Sequence, residues 1–512
     1  MTTSTTSSVH PRPAADVASW DHEADVVVAG YGVAGASAAI EAARAGADVL
    51  VLERTSGWGG AAALAGGFIY LGGGTALQRA CGFEDSPATM QAFLTAALGP
   101  GVDGAKIEAY CQGSVEHYDW LVDCGVVFKP EFFGEPGWES VGDEGLMYSG
   151  GENAAPFTAV ATPAPRGHVP QMANKRAGEK SGGYMLMKPL AETVAALGVR
   201  AEHDVRVQTL VTDPDGRVVG VIAKQYGQEI AVRARRGVVL ATGSFAYNDQ
   251  MVQSFAPLMA GRPGSAIEEH DGISIRMGQA VGADLAHMDA AEVAIHCDPQ
   301  LMVRGILVNG RGQRFVPEDT YPGRIGQLAL FQQDNQVFLV VDEAGYAAAA
   351  ASPTATRHLR RKPTWVCETV AELEAEMGLV AGALESTVEL YNRYAVTGED
   401  PLLGKKAEWV KPLTGPFAAI DLRGATSGFT LGGLRTTVDS EVLHVSGEPI
   451  PGLFAAGRCT AGISAGGYAS GASLGDGSFF GRRAGRSAAG TRTAAGTSTA
   501  AHPRAEAEPS LG

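Results

Sequence analysis

The chain has 512 residues, of which 45% are hydrophobic and 19% charged, with a formal charge of −16. These values describe a globular protein with room for two or more domains, and the acidic balance excludes a nucleic-acid or anionic-lipid partner, since either needs a basic surface. Six cysteines stand without a CxxC pair, which argues against zinc, a redox dithiol or a disulfide framework and fits a cytoplasmic location. The N-terminus lacks a basic region followed by an apolar core, and no uninterrupted apolar run reaches about 18 residues, so neither export nor a transmembrane segment is expected.

Residues 1–20 are rich in Ser, Thr and Pro and read as a disordered tail. Residues 24–29 form a buried strand running into Gly30, Gly32 and Gly35 at the G-x-G-x-x-G spacing, then an Ala-rich helix, then a second strand ending on Glu53, with Ala34 and Arg54 also expected at the cofactor. The first glycine permits the turn, the second lets the backbone approach a pyrophosphate, and the third lets helix pack on strand. Glu53 stands where an acid accepts from a ribose hydroxyl. A second glycine-rich run, SGWGGAAALAGG at 56–67, contains Gly59, Gly60, Ala61, Gly66 and Gly67. It is too long for a simple turn and suits a cofactor larger than a nicotinamide dinucleotide, so the expected cofactor is FAD.

Further on, 205–211, 218–224 and 230–233 read as an antiparallel meander, its first pair joined by the Asp213-Pro214-Asp215-Gly216 turn. Residues 235–244 then read as a separate buried strand ending in Ala241, Thr242 and Gly243, which returns beside the first strand. From 291 to 418 the character changes, with a strand at 337–341 and the helical patterns TVAELEAEMGL and ALESTVELYNRY. Residues 452–457 make another buried strand and turn, ending on Gly457, and 466–477 opens a helix aimed at the cofactor. A last helix spans 476–488, and 487–512 is a second disordered tail. The expected fold is α/β: a discontinuous Rossmann-like FAD-binding domain (21–290 and 419–486) with an inserted α+β cap, or substrate, domain (291–418).

No second G-x-G-x-x-G follows a strand, which leaves no NAD(P) site and requires another electron acceptor. His270, His287 and His296 lack metal-ligand spacing, so no metal is expected. Arg304, Arg311, Arg314 and Arg324 read as a solvated loop rather than an anion site.

The opening fingerprint, the ATG turn, VNGRGQRF, PGLFAAG and ASLGDGSFFGRRAG together resemble the succinate dehydrogenase/fumarate reductase flavoprotein superfamily over residues 22–486. Within it, GGYASGASLGDG and PEDTYPGR resemble the bacterial 3-ketosteroid dehydrogenases, specifically those of the Δ4-(5α) type. The resemblance implies that the glycine loops and Ala241 to Gly243 hold the flavin, with the Val207 backbone at adenine and Ser473 and Leu474 at the isoalloxazine edge. Asp271-Gly272 resembles the family's GDG turn, and a plain helix cap is an equal reading. Residues 55–67 contain no histidine at the place of the covalent anchor of respiratory members, so FAD is expected to be noncovalent.

The dicarboxylate reductases of this superfamily clamp substrate with a histidine and an arginine, whose places here are Ser464 and Tyr468, and use an arginine proton donor whose place is Pro322, beside Tyr321. Without those cations a neutral ketone is the expected substrate, in a cavity lined by Phe128, Phe132, Phe133 and Trp138. The implied reaction is desaturation next to the ketone of a steroid, with a hydride passing to the flavin and an external acceptor other than NAD(P) reoxidising it. Tyr468 is then the hydrogen-bond donor to the ketone, Ser470 the proton acceptor and Tyr321 the relay that makes serine an effective base. For Ser470 a helix-capping role is the alternative. Other readings left open are a Δ1-type desaturase, whose members carry Tyr-Pro-Gly at the place of 468–470, an enone reductase, and a flavin-carrying protein without turnover.

Overall fold

The computed structural model describes residues 9–171 and 182–490, and its main element is a nine-stranded sheet. Strand His22–Ala29 sits near the centre, paired in parallel with Val49–Leu52 on one side and with the second half of Gln228–Leu240 on the other. Val26, Val27, Val28 and Ala29 are fully buried, as expected where helices and further structure cover both faces of a parallel sheet. The strands expected at 230–233 and 235–244 are one strand, Gln228–Leu240. Its first half pairs antiparallel with Val218–Gln225, and its second half pairs in parallel with His22–Ala29 and Pro449–Ala455. A register irregularity between Ala234 and Gly237 marks the change of neighbours. This sheet thus draws on widely separated segments of the chain.

Two helices meet at this sheet's carboxyl edge, Val33–Arg44 directly after the first strand and Ala472–Ala488 near the end of the described chain. The latter starts four residues before the expected 476. Both are capped at the N-terminus by glycine without a side-chain acceptor, Gly32 and Gly471, which leaves the start of the first helix open to a ligand, whereas Ala472 N and Ser473 N of the second donate to Ala469 O and the Tyr468 hydroxyl.

A second sheet has four antiparallel strands, in the order Ile306–Asn309, Val337–Asp342, Phe417–Asp421 and Trp365–Cys367. Helix Pro322–Gln332 contributes Ile325 and Ala329 to the core on one face, and Val370–Glu376 and Ala383–Ala395 contribute Leu373, Leu384 and Val388 on the other. The boundary expected at 418 falls inside Phe417–Asp421. Strand Ala291–Ile295 pairs with Thr426–Thr430, so the segment closes on itself near residue 430.

Further expectations are corrected. Residues 9–20 are not a loose tail: Arg12–Pro13 pairs in parallel with Val211–Thr212, and Thr209 Oγ1 donates to the carbonyls of Val9 and His10. Trp20 lies against Gly220, where a Cβ would come within 2.8 Å of its ring, and this packing is invisible in a Ser/Thr/Pro-rich composition. The second tail does not begin at 487 either, because helix Ala472–Ala488 continues through it and Ala488 and Ala489 are buried; the remaining tail expectations, 1–8 and 491–512, lie outside the described residues. Nor are all four arginines solvated. Arg314 is buried, forked between Glu318 and Asp400 at 2.8–3.0 Å, with Lys405 at 3.3 Å from Glu318. Buried charges survive only when fully paired, and here the pairing fixes the loop that leads to Tyr321.

Candidate active site

One continuous cavity of about 450 Å³ runs from the first glycine turn to the segment 318–322 that carries Tyr321. At one end its walls are backbone. Gly30 has φ +104°, and a Cβ there would lie 2.5 Å from the Ala241 carbonyl oxygen, so only glycine turns here. Gly32, Val33 and Ala34 present the start of the first helix to the cavity, beside Glu53 and Arg54. Glu53 is buried, with its Oε2 accepting from Tyr31 N at 2.7 Å and its Oε1 from Thr55 N at 2.8 Å and Thr55 Oγ1 at 2.9 Å. Oε2 keeps capacity for a further donor. Gly60, Ala61, Gly66 and Gly67 line the middle, with Val207, Ala241, Thr242, Gly243 and Gly457 opposite.

Three expected cofactor residues stand outside the lining. Gly35 serves packing: its Cβ would lie 1.9 Å from the Gly30 carbonyl oxygen. Gly59 caps the short helix Gly60–Leu64 and donates its N–H to Tyr31 O. Asp271 stands one residue before the N-cap, Gly272, of helix Ile273–Ala280, accepting from Ile273 N at 3.1 Å while pairing with Arg54 and Arg206, each at 2.9 Å. The sequence also left His270 without a role. It lies under the Gly243 turn, bonded to Ser244 Oγ at 3.0 Å, and burial lowers its pKa to about 4, so the ring is neutral.

At the other end the walls are side chains. Tyr468 and Ser470 come from the glycine-rich loop before helix Ala472–Ala488. Tyr468 is buried edge-on to Phe429, and its hydroxyl accepts from Ser473 N at 3.1 Å. Ser473 N is thus committed to Tyr468, while Ser473 Oγ is buried without a partner and Leu474 lies beside it on the wall. Ser470 does not cap the helix, because Gly471 is the N-cap. Its backbone is held twice by Ser149: Ser470 N donates to Ser149 O at 3.1 Å, and Ser149 Oγ donates to Ser470 O at 2.8 Å.

Tyr321 stands at the N-cap of helix Pro322–Gln332. Its ring folds over the first turn, and only a glycine at 323 leaves it room, since a Cβ there would lie 2.3 Å from Tyr321 Cε1. Burial raises the pKa of the phenol well above its usual value, the neighbouring Glu292 and Tyr468 add to this, and a hydrogen-bonding interaction with Ser470 acts in the opposite sense. Burial also raises the Tyr468 phenol. Both phenols therefore remain protonated donors at neutral pH.

Among the wall residues that were missed, one bonds directly to Tyr321. Glu292, on strand Ala291–Ile295, accepts from the Tyr321 hydroxyl at 3.3 Å, and burial pushes its carboxyl up to about 8. A lone glutamate in AEVAI reads as a strand's solvent face, and only the fold turns it inward. Of the expected aromatics, Phe133 and Trp138 line the cavity, whereas Phe128 packs on Tyr118 and Phe132 on Phe83.

The backbone cradle, the glycine-capped start of the first helix and the unpartnered Ser473 hydroxyl fit a flavin dinucleotide. The FAD binding domain family model matches residues 25–474. The structure of a 3-ketosteroid-Δ4-(5α)-dehydrogenase from Rhodococcus jostii RHA1, in complex with 4-androstene-3,17-dione, is 75% identical, covers 94% of this chain and all of its own, and has a TM-score of 0.92. The 3-oxo-5-alpha-steroid 4-dehydrogenase of Comamonas testosteroni is 28% identical over 86% of this chain and 94% of its own. A flavocytochrome c3 fumarate reductase structure, 25% identical over 93% of this chain and 79% of its own, has a TM-score of 0.65. The fold and site thus define an FAD-dependent oxidoreductase. Within that class the chain belongs to the 3-ketosteroid-Δ4-(5α)-dehydrogenase family.

Proposed function

We propose that this enzyme desaturates saturated 3-ketosteroids between C4 and C5. The observation that carries the reading is the convergence of Tyr468, Ser470 and Tyr321 on one end of the flavin cavity. FAD, when bound, supplies the hydride acceptor. Tyr468 donates to the ketone oxygen and stabilises the negative charge that grows there as the neighbouring proton leaves. Ser470 takes that proton and passes its own to Tyr321, so an alcohol acts as base because a phenol accepts from it. Residues 291–430 act as the cap, bringing Tyr321 over the loop that carries Ser470 and shielding the proton transfers from bulk water.

FAD is held without a covalent bond, so acid precipitation should leave all of the yellow colour in solution. Among the described residues no helix is long and apolar enough to cross a membrane. The free cysteines support a cytoplasmic enzyme, and its flavin is reoxidised by an external acceptor other than NAD(P). Anaerobic mixing with a 5α-saturated 3-ketosteroid tests the reading. The flavin should bleach near ~450 nm and the product should carry a C4–C5 double bond. A double bond at C1–C2 would move the chain to the Δ1 reaction, and no bleaching with any 3-ketosteroid would refute desaturation altogether.

A further inference from the structure

The proton taken from the steroid must go somewhere, and the hydroxyl of the partly buried Tyr321 already donates to a protein group. Behind the phenol stands Glu292. Two features place it there. Strand Ala291–Ile295 pairs in register with Thr426–Thr430, with Glu292 opposite Phe429, the ring that also packs on Tyr468. Helix Pro322–Gln332 lies unusually close to that strand, because Gly326 has no Cβ; one would sit 2.1 Å from the Val293 carbonyl oxygen. Gln327 Nε2 ties the same helix to Ala291 O at 2.8 Å. The tight packing sets the Tyr321 hydroxyl 3.3 Å from Glu292 Oε1.

We propose that the Glu292 carboxylate is the terminal acceptor of the substrate proton, reached through Ser470 and Tyr321. This rests on the desaturation reading above. The C4–H bond breaks, and its proton goes to Ser470 Oγ while the serine proton moves to Tyr321 Oη and the tyrosine proton to Glu292. The C4–H electron pair becomes the π bond as the C5 hydride leaves to the flavin, which is reduced while the steroid is oxidised. Serine and tyrosine end the step as they began, and Glu292 holds one extra proton. Glu292 is a positioning residue in that it acts through Tyr321 and does not touch substrate.

The surroundings suit such a reservoir. Tyr321 and Tyr468 are the titratable groups that bear on Glu292. Strand Thr426–Thr430 brings no charge. Arg324, on the packed helix, lies over the Phe157 ring, and Arg458 is engaged by Asp476. His296, beyond the strand's end, bonds to Ser427 Oγ. With no cation to hold it ionised, the carboxyl titrates near pH 8, so it binds a proton tightly enough to accept it and weakly enough to release it.

The sign of the pH effect follows. The acceptor is the ionised form, so the rate of flavin reduction should rise with pH and level off above about 8. Glu292→Gln keeps the shape and an acceptor oxygen but cannot take the proton. It should slow flavin reduction by ~10²-fold or more, abolish the limb near pH 8 and leave flavin content unchanged, whereas Glu292→Asp should recover part of the rate together with a shifted limb. Should the variants fold poorly, the wild-type enzyme answers instead. In a weakly buffered anaerobic mix with a pH indicator at pH 9, flavin bleaching should precede acidification of the solvent. Acidification in step with bleaching, or a Gln variant with wild-type rate and pH profile, overturns the Glu292 role. If Ser470→Ala or Tyr321→Phe reduces flavin at full rate, the relay itself falls. If both are inactive while Glu292→Gln is unaffected, only the acceptor assigned here is wrong.

Discussion

At the nucleotide end of the cavity the wall is made of main chain: Gly30, Gly32, Gly60 and the pair at 66–67, with one carboxylate, Glu53, held by Tyr31 and Thr55. At the catalytic end the wall is made of side-chain hydroxyls and one buried carboxyl, brought in from the loops and strands carrying Glu292, Tyr321, Tyr468 and Ser470. The first arrangement recognises its ligand by where atoms are, and a methyl group in the wrong place defeats it. The second handles protons, and there the removal of one oxygen matters while the shape survives. Substitutions should therefore separate cleanly into those that empty the site of flavin and those that leave it yellow and inactive.

The largest effect is expected at Gly35. Its Cβ would meet the Gly30 carbonyl at 1.9 Å, backbone against backbone, with no flexible atom to move aside. Gly35→Ala should yield protein with little or no bound flavin, read as the ratio of absorbance near ~450 nm to that of the protein. Full flavin occupancy would show that this end tolerates displacement after all. Next comes Ser470→Ala, which should lower steroid-dependent flavin reduction by ~10²–10⁴-fold at unchanged flavin content. Loss of flavin together with activity would break the division between the two ends.

A third substitution tests how rigidly the catalytic end is built. Gly323 touches neither flavin nor steroid in this account, yet a Cβ there would press on the Tyr321 ring at 2.3 Å. Gly323→Ala should push the phenol off its line between Ser470 and Glu292 and cost roughly 10–10²-fold in kcat, since small misplacements of a relay group are expensive. KM and flavin content should change little. A matching fall with Tyr321→Phe, and no additional fall in the double variant, would show that Gly323 acts through Tyr321 alone.

The same contrast explains what a linear reading could see. The nucleotide end lies in one stretch from Ala24 to Arg54 plus the glycine run after it, so spacing alone reports its geometry. Tyr468, Ser470 and Tyr321 are legible only because their flanking motifs resemble those of a known family. Glu292 has no such flank. Its position depends on a strand register with residues 426–430 and on the absence of one methyl group at Gly326, a long-range packing that periodicity does not encode. Phe128 and Phe132 fail for the converse reason: an aromatic run marks burial, but whether a ring faces a cavity or a neighbouring ring is settled by tertiary packing.

The smallest effect is expected where charge assists the nucleotide end. Asp271 bridges Arg54 and Arg206, whose side chains are 38% and 45% exposed, and partly exposed pairs of this kind contribute ~0–1 kcal/mol. Asn at this position keeps an oxygen for the Ile273 N–H cap and removes only the charge. Asp271→Asn should weaken flavin binding by no more than about fivefold, the equivalent of ~1 kcal/mol, measured by fluorescence titration of apoprotein, and added salt should weaken the wild type more than the variant. Were Asp271→Asn to empty the site as Gly35→Ala does, electrostatics would have to share with the glycine backbone the work of holding the dinucleotide, and the contrast between a shaped end and a chemical end would no longer describe the cavity.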